Sequence, residues 1–522
     1  MSALRHRLRL AKDQTIRSGA EKFAGVKIAS LFGHESPLGL DSGDIPVCFG
    51  QESHGWFRSI TSAGAEAMPE MIAYSNPEYR KAQIAIHRFL SGDYDPQAAE
   101  LRAHPIGGVS TAMPVLIKNA LRALGYDPDE TGAKSPYIIL CLPTHPNWLA
   151  KIVTENKDGY GAIILIKRDK NGMLDIEHAK QVLRKIDRPF IIINIPDENP
   201  SGTVTPNGTY TQENTGLIDL IAHGTPMWGM LFLDLIYADM TRGPDANKRH
   251  ELVQAAKKVR TVAMHSVSKA YGLPGFRMGG TSYLGPLDAI GKRFCSLMFD
   301  DSDDSIKNGI SSQSLRSIQV MYGNADGRPA FASSEEIQAE KEALVARVFE
   351  RVDRNHAAAL KMGLRHVFGL QKIDSAFYGF YDLKGFLGYE HGELPWSDGN
   401  YVQRRIMDPI EARLARDPDS REYMKWTEFR EFTGEVSGVS ASRAFTLELV
   451  MNGLIVLPHD PFYTRFLDNG ITANPDFPTN PIIRLVLAHP PEVVAKALET
   501  IKRVWEEGIT DFKGGNWQRR YD

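Results

Sequence analysis

Between about residues 105 and 300 the hydrophobic positions gather into short β-rich runs, and the stretches between them are amphipathic. A strand buried on both faces needs an unbroken apolar run of roughly four to eight residues, and crossover helices supply the amphipathic intervals. The runs predict strands over Tyr137–Leu142, Gly161–Lys167, Phe190–Ile195, Gly229–Leu235, Thr261–Ser266 and Met278–Leu284. Helices are predicted over Ile176–Ile186, Glu213–Ala222 and Asp245–Val259. This alternation predicts an α/β fold of strands joined by crossover helices in a buried, mainly parallel sheet.

Further along, Ser333 and Glu336 have the spacing of a capping box. Ile337, Leu344, Val345, Val348, Phe349 and Val352 then recur at helical spacing, which predicts a long helix joining the large domain to a smaller α+β domain. The expected division is 1–60 as an N-terminal arm and part of the small domain, 61–345 as the large domain, and 346–522 as the C-terminal small domain. An inserted segment near 385–435, rich in aromatics (Trp396, Tyr401, Tyr423, Trp426, Phe429, Phe432), breaks the pattern of that last part.

Composition narrows the class. The chain has 522 residues, 42% of them hydrophobic, enough for more than one core. Its 61 Lys and Arg nearly balance 64 Asp and Glu, so no global field recruits nucleic acid or an anionic membrane, and the expected partners are small molecules. The longest apolar runs are far short of the roughly 20 residues that span a bilayer. Cys48, Cys141 and Cys295 are scattered, outside metal-ligand spacing, and fit free thiols in a reducing compartment, so a cytoplasmic protein is expected and no metal. The basic segment Met1–Phe32 reads as a solvated arm rather than a transit peptide.

The chemistry concentrates after the strand Thr261–Ser266, in Ser266-Val-Ser-Lys269-Ala-Tyr-Gly272-Leu-Pro-Gly275-Phe-Arg277-Met-Gly279. Open α/β sheets bind ligands beyond the carboxyl ends of their strands. A lysine placed there can form a Schiff base with an aldehyde cofactor, Arg277 is a planar cation suited to a phosphate, and the glycines let the backbone turn. Other polar clusters also follow strands: Pro143-Thr-His145-Pro-Asn147-Trp148, Asn194-Ile-Pro-Asp-Glu-Asn199-Pro200-Ser201-Gly202, and Asp234-Leu-Ile-Tyr237. Upstream, Ile106-Gly107-Gly108-Val109-Ser110 opens an apparent helix, whose N–H groups and partial charge suit a phosphate.

The Ser-x-Ser-Lys-x-x-Gly-Leu-x-Gly-x-Arg-x-Gly string resembles the lysine signature of class I/II aminotransferases, the aspartate aminotransferase-like fold type I of pyridoxal phosphate enzymes. The ordered upstream clusters resemble that family's other elements. The resemblance implies a three-layer α/β/α large domain on a mainly parallel, mixed sheet with a smaller α+β domain, and pyridoxal 5′-phosphate on Lys269. It gives the phosphate to Arg277, Ser266 and the backbone N–H groups of Gly108 and Val109, and the ring face to His145, with Trp148 as the alternative. Asp234 would pair with the ring nitrogen, while Tyr237 and Asn199 would bond the phenolic oxygen; Asn199 would also meet substrate, and its peptide to Pro200 is of the kind that can be cis.

Tyr74 resembles the tyrosine that reaches the phosphate of the neighbouring subunit, which implies a homodimer with shared active sites. Arg484, in Asn480-Pro-Ile-Ile-Arg484, resembles the arginine that binds the substrate α-carboxylate. The family's activity implies ping-pong transamination between an L-amino acid and a 2-oxo acid, with Lys269, Asp234 and Tyr237 catalytic. The same parts serve other reactions, so an amino acid β-decarboxylase or lyase resembling aspartate 4-decarboxylase stands as the alternative, and a cofactor-binding regulatory module as a remote one. Asp300, Asp301, Asp303 and Asp304 are an acidic cluster that would favour a cationic side chain, or else a solvated loop.

Overall fold

A computed structural model describes residues 76–127, 134–155, 162–196, 199–202, 216–224, 229–242, 249–269, 271–272, 277–300, 310, 312–323, 335–389, 393–415, 439–454, 456–463, 466–467, 472–473 and 477–515. Two compact units divide the chain at Val348 and Phe349, the first also taking Asp374–Ala376.

The first unit is built on seven strands: β1 (Ala103–Ile106), β2 (Tyr137–Cys141), β3 (Ile163–Ile166), β4 (Phe190–Asn194), β5 (Gly229–Asp234), β6 (Thr261–Ser266) and β7 (Gly279–Tyr283). Their order across the sheet is β1-β7-β6-β5-β4-β2-β3. The five strands from β3 to β6 are parallel, while β7 runs antiparallel to both β6 and β1. This is the mainly parallel α/β sheet that the apolar runs predict, mixed through β7 as the resemblance implies, and each predicted strand is found. Residues such as Ile191, Ile192, Phe232 and Leu233 are fully buried, because both faces of the parallel strands are covered.

The strand β1 is an addition to the predicted set. Ala-His-Pro-Ile has neither an apolar run nor clean alternation, yet its residues pair with β7 from Ala103↔Ser282 to Ile106↔Gly279. An edge strand tolerates Pro105, which has no N–H to donate. At β7 the fit is close: a Cβ on Gly279 would collide with the His265 carbonyl oxygen of β6, so this position needs glycine.

Helices return the chain between strands. One covers Val109–Ala123 directly after β1, another Pro146–Glu155 after β2, and a third Ile176–Leu183, where Asp175 caps by accepting from the His178 N–H at 2.9 Å. Leu217–Gly224 and Arg249–Ala256 overlap the helices predicted there. The long helix runs Glu335–Met362; Ser333, its expected cap, lies outside the described residues.

The second unit holds a four-stranded antiparallel sheet in the order β10-β13-β9-β8, from β8 (Arg365–His366), β9 (Tyr378–Asp382), β10 (Leu457–Pro458) and β13 (Ile482–Val486). A two-stranded ribbon, β11 (Phe466–Leu467) with β12 (Thr472–Ala473), lies beside them in sequence. Trp396 and Tyr401 of the expected insertion are core of this unit. Trp396 stacks on Trp505 with centroids 4.7 Å apart, meets Phe445 edge-on at 4.7 Å, and donates to buried Glu448 at 2.6 Å. Tyr423, Trp426, Phe429 and Phe432 lie outside the described residues.

Candidate active site

The parallel strands β2, β4, β5 and β6 end on one edge of the sheet, and the polar clusters of the sequence follow directly after them. Asp234 closes β5, where it is wholly buried. Its Oδ2 accepts from the Trp148 indole Nε1–H at 2.8 Å and its Oδ1 from the Ile236 N–H at 3.2 Å. Burial pushes the Asp234 carboxyl up to about 6, opposed by the Trp148 and Ile236 donors and by the charge of Lys269. An ionised, desolvated carboxylate in reach of a lysine's field favours a cation placed against it.

Lys269 is buried in the turn after β6, with its Nζ 5.7 Å from the centroid of the Tyr237 ring. Asn199 joins the same group, donating its side-chain N–H to the Tyr237 hydroxyl at 3.3 Å, and the Asn199–Pro200 peptide is cis. Asn199 and Tyr237 are both buried. The structure thus brings Asp234, Tyr237, Asn199 and Lys269 together from three separate strand ends.

A second group lies where β1 gives way to its helix. Gly108 is the N-cap at φ 95°, a left-handed conformation that glycine adopts without strain. A Cβ there would stand 3.0 Å from Nη2 of Arg277, so the bare glycine makes room for the guanidinium. Arg277 donates from Nη2 to the Thr111 hydroxyl at 3.2 Å and is exposed. Its own φ of 50° is unusual for a side-chain-bearing residue and costs roughly 1–2 kcal/mol. A cation held in a strained conformation beside a helix N-terminus, with Val109 in the first turn, is suited to a phosphate.

Ser266 ends β6, buried, and donates to the Met278 carbonyl at 3.1 Å while its oxygen lies 2.8 Å from the Ser268 hydroxyl. His145 is half-buried in the turn after β2, and its carbonyl accepts from the Trp148 N–H at 3.2 Å. Trp148, the alternative for ring stacking, is instead fully buried beneath the turn as the donor to Asp234, with its ring edge-on to Phe232 at 5.9 Å. The sequence does not show this donor role, because Trp148 and Asp234 are 86 residues apart and meet only at the strand ends. Thr111, the partner of Arg277, is likewise new.

Two further expected residues are not among the described residues of this unit. Arg484 belongs to the second unit, on β13 between Phe380 of β9 and Leu457 of β10. It is buried, with its guanidinium 4.3 Å from the Tyr378 ring centroid and 5.1 Å from that of Phe462, an aromatic seat that orients the fork. Tyr74 lies outside the described residues, as do Asp301, Asp303 and Asp304; Asp300 ends the helix Ala289–Asp300.

Among the described residues no helix is long and apolar enough to cross a membrane. Residues 132–296 match the family model described as aminotransferase class I and II. The glutamate-pyruvate aminotransferase AlaA of Haemophilus influenzae is 29% identical over 171 residues, which is 33% of this chain and 37% of that protein. The chain therefore spans little more than a third of the length of that curated relative. Alanine aminotransferase from Pyrococcus furiosus superposes with a TM-score of 0.58 at 15% identity, covering 97% of this chain and 98% of that one. A mutant aspartate aminotransferase of Thermus thermophilus gives 0.55 at 16% identity over 95% and 94%. The fold is thus that of these enzymes, and the family match contains His145, Trp148, Asn199, Asp234, Tyr237, Ser266, Lys269 and Arg277.

Proposed function

We propose that this chain, whose residues 132–296 belong to the class I and II aminotransferase family, is a pyridoxal 5′-phosphate-dependent aminotransferase acting between an L-amino acid and a 2-oxo acid. The observation that carries the reading is the buried Asp234 carboxylate, held by Trp148 and within the field of Lys269, beside the Asn199–Tyr237 pair.

The residues fit the cofactor. A carboxylate pushed up to about 6 by burial is relieved by a protonated ring nitrogen, and the Gly108 turn leaves room at Arg277 for an anion. Arg277, Ser266 and the N–H groups of Gly108 and Val109 would hold the phosphate, and His145 would cover the ring face. Pyridoxal phosphate supplies the carbonyl carbon and the electron-withdrawing ring that let an amino acid lose its α-proton.

The chain's own residues do the rest. Asp234, ionised at neutral pH, would keep a proton on the ring nitrogen. Tyr237 and Asn199 would donate at the phenolic oxygen. The Lys269 amine would serve as the acid–base group that takes the proton from the substrate Cα and gives it back. Arg484 would take the substrate carboxylate with its fork, Asn199 would support it, and Tyr74 of a neighbouring copy would complete the phosphate site in a homodimer. We place the protein in the cytoplasm, on its few, scattered cysteines; Cys141 and Cys295 are buried and form no disulfide.

The relatives' names make L-alanine, L-glutamate and L-aspartate the first donors to try. Mixing each with the cofactor-loaded protein, without an oxo acid, tests the reading. Pyridoxamine phosphate and the matching oxo acid in equal amounts support it. Carbon dioxide or ammonia released in their place overturns it in favour of the decarboxylase or lyase alternative.

A further inference from the structure

Behind the Lys269 turn lies a buried polar cluster that none of the roles above uses. His265, the residue before Ser266 on β6, points to the opposite face of the sheet, as strand alternation requires. Its Nε2 is 3.0 Å from Oδ2 of Asp239 and its Nδ1 2.9 Å from the Tyr322 hydroxyl. The other oxygen of Asp239 accepts from Lys341 Nζ at 3.0 Å. All four side chains are buried. A carboxylate only accepts, so the imidazole carries its proton on Nε2, and in the neutral ring Nδ1 accepts from Tyr322. Donors and acceptors therefore match along the whole row from Tyr322 to Lys341.

Its placement is informative. Asp239 lies two residues beyond Tyr237, on the segment that carries Asp234. His265 lies four residues before Lys269. Tyr271, two residues beyond Lys269, sets its ring perpendicular to the His265 ring at 6.2 Å, with Lys341 Nζ 5.8 Å from the same ring's centroid. The Lys269 carbonyl closes the turn by accepting from the Gly272 N–H at 3.0 Å. The cluster thus grips the lysine's turn on both sides and ties it to the strand end that bears Asp234.

A buried ion pair is an inefficient way to stabilise a fold, since apolar groups of similar volume serve as well or better. What it supplies is direction, through bonds that fix lateral position. We propose that Asp239, His265 and Lys341, acting on Tyr271, are positioning residues that hold the Lys269 amine in register with Asp234. This inference rests on the reading of Lys269 as the cofactor-bearing lysine.

The test removes the charges together. Asp239→Asn or Lys341→Met alone leaves one buried charge uncompensated, whereas the double variant leaves none. The protein freed of cofactor is mixed with pyridoxal phosphate, and borohydride trapping on Lys269 is followed in time, alongside thermal unfolding and the induced circular dichroism of the bound chromophore. Expected for the double variant is thermal unfolding close to that of the unmodified protein, with trapping about tenfold or more slower and an altered dichroic band, because small misplacements of a reacting group are costly in rate.

Unaltered trapping and dichroism in the folded double variant would overturn the proposal. Should that variant fail to fold, Tyr271→Leu removes the ring without touching a charge; slower trapping supports the clamp and an unchanged rate overturns it. Lys269→Ala separates the two readings. If that variant is still trapped on another lysine at the normal rate, the assignment of Lys269 itself is wrong.

Discussion

Replacing Trp148 by Phe keeps an aromatic ring at a fully buried position but deletes the Nε1–H that donates to Asp234 at 2.8 Å. A hydrogen bond to a charged group contributes roughly 1.5–3 kcal/mol, and ~1.4 kcal/mol corresponds to one pH unit, so the Asp234 midpoint should rise by about one to two pH units. From about 6 it moves to roughly 7 or above. The sign follows from proton binding. With a folded midpoint above the ordinary carboxylate value of 3.8, the folded protein holds the extra proton between the two values, and stability is lost as pH rises through about 4 to about 6.

For the cofactor-free protein that loss amounts to ~3 kcal/mol at neutral pH, and in Trp148→Phe it should continue to roughly pH 7 or above. Urea unfolding of the cofactor-free protein over this range measures it. The smaller ring also leaves a void, which lowers stability by a similar amount at every pH and leaves the slope alone. The acid limb of kcat/KM should move upward in the same variant. If protein and variant lose stability over one and the same pH window, the Trp148 bond does not govern Asp234 and the reasoning fails.

Other outcomes are expected from the same geometry. Gly108→Ala places a side chain at φ 95° and 3.0 Å from the Arg277 guanidinium, so stability should fall by about 1–2 kcal/mol and pyridoxal phosphate should bind more weakly, as unfolding curves and cofactor titration would show. Arg277→Lys keeps the charge and loses the planar fork; cofactor affinity should drop about tenfold while added cofactor restores kcat, and unchanged affinity would remove Arg277 from the phosphate site. Arg484→Lys should raise KM for the amino acid by roughly ten- to a hundredfold with little change in kcat, and an unaltered KM would exclude it from carboxylate binding.

The strands of the large unit could be read from the sequence because burial on both faces leaves contiguous apolar runs such as Phe190–Asn194, and nothing else in a globular chain produces them so regularly. The site was legible for a related reason. Its groups sit at strand ends, so each appears as a polar cluster directly after such a run. What stayed hidden depends on contacts remote in sequence. Ala103–Ile106 becomes a strand only through pairing with Gly279–Ser282, and its own Pro105 argues against it. Trp148 and Asp234 are 86 residues apart, and Asp239 and Lys341 are separated by 102. Trp396, which reads as part of an insertion, is core because Trp505 supplies the facing ring.

The central claim is that Lys269 carries the cofactor, and borohydride reduction followed by peptide mapping tests it most directly. The protein loaded with pyridoxal phosphate, reduced and digested, should yield one peptide bearing the phosphopyridoxyl group, with the label on Lys269, and Lys269→Ala should yield none. Label found on another lysine, or retained in Lys269→Ala, would contradict the account.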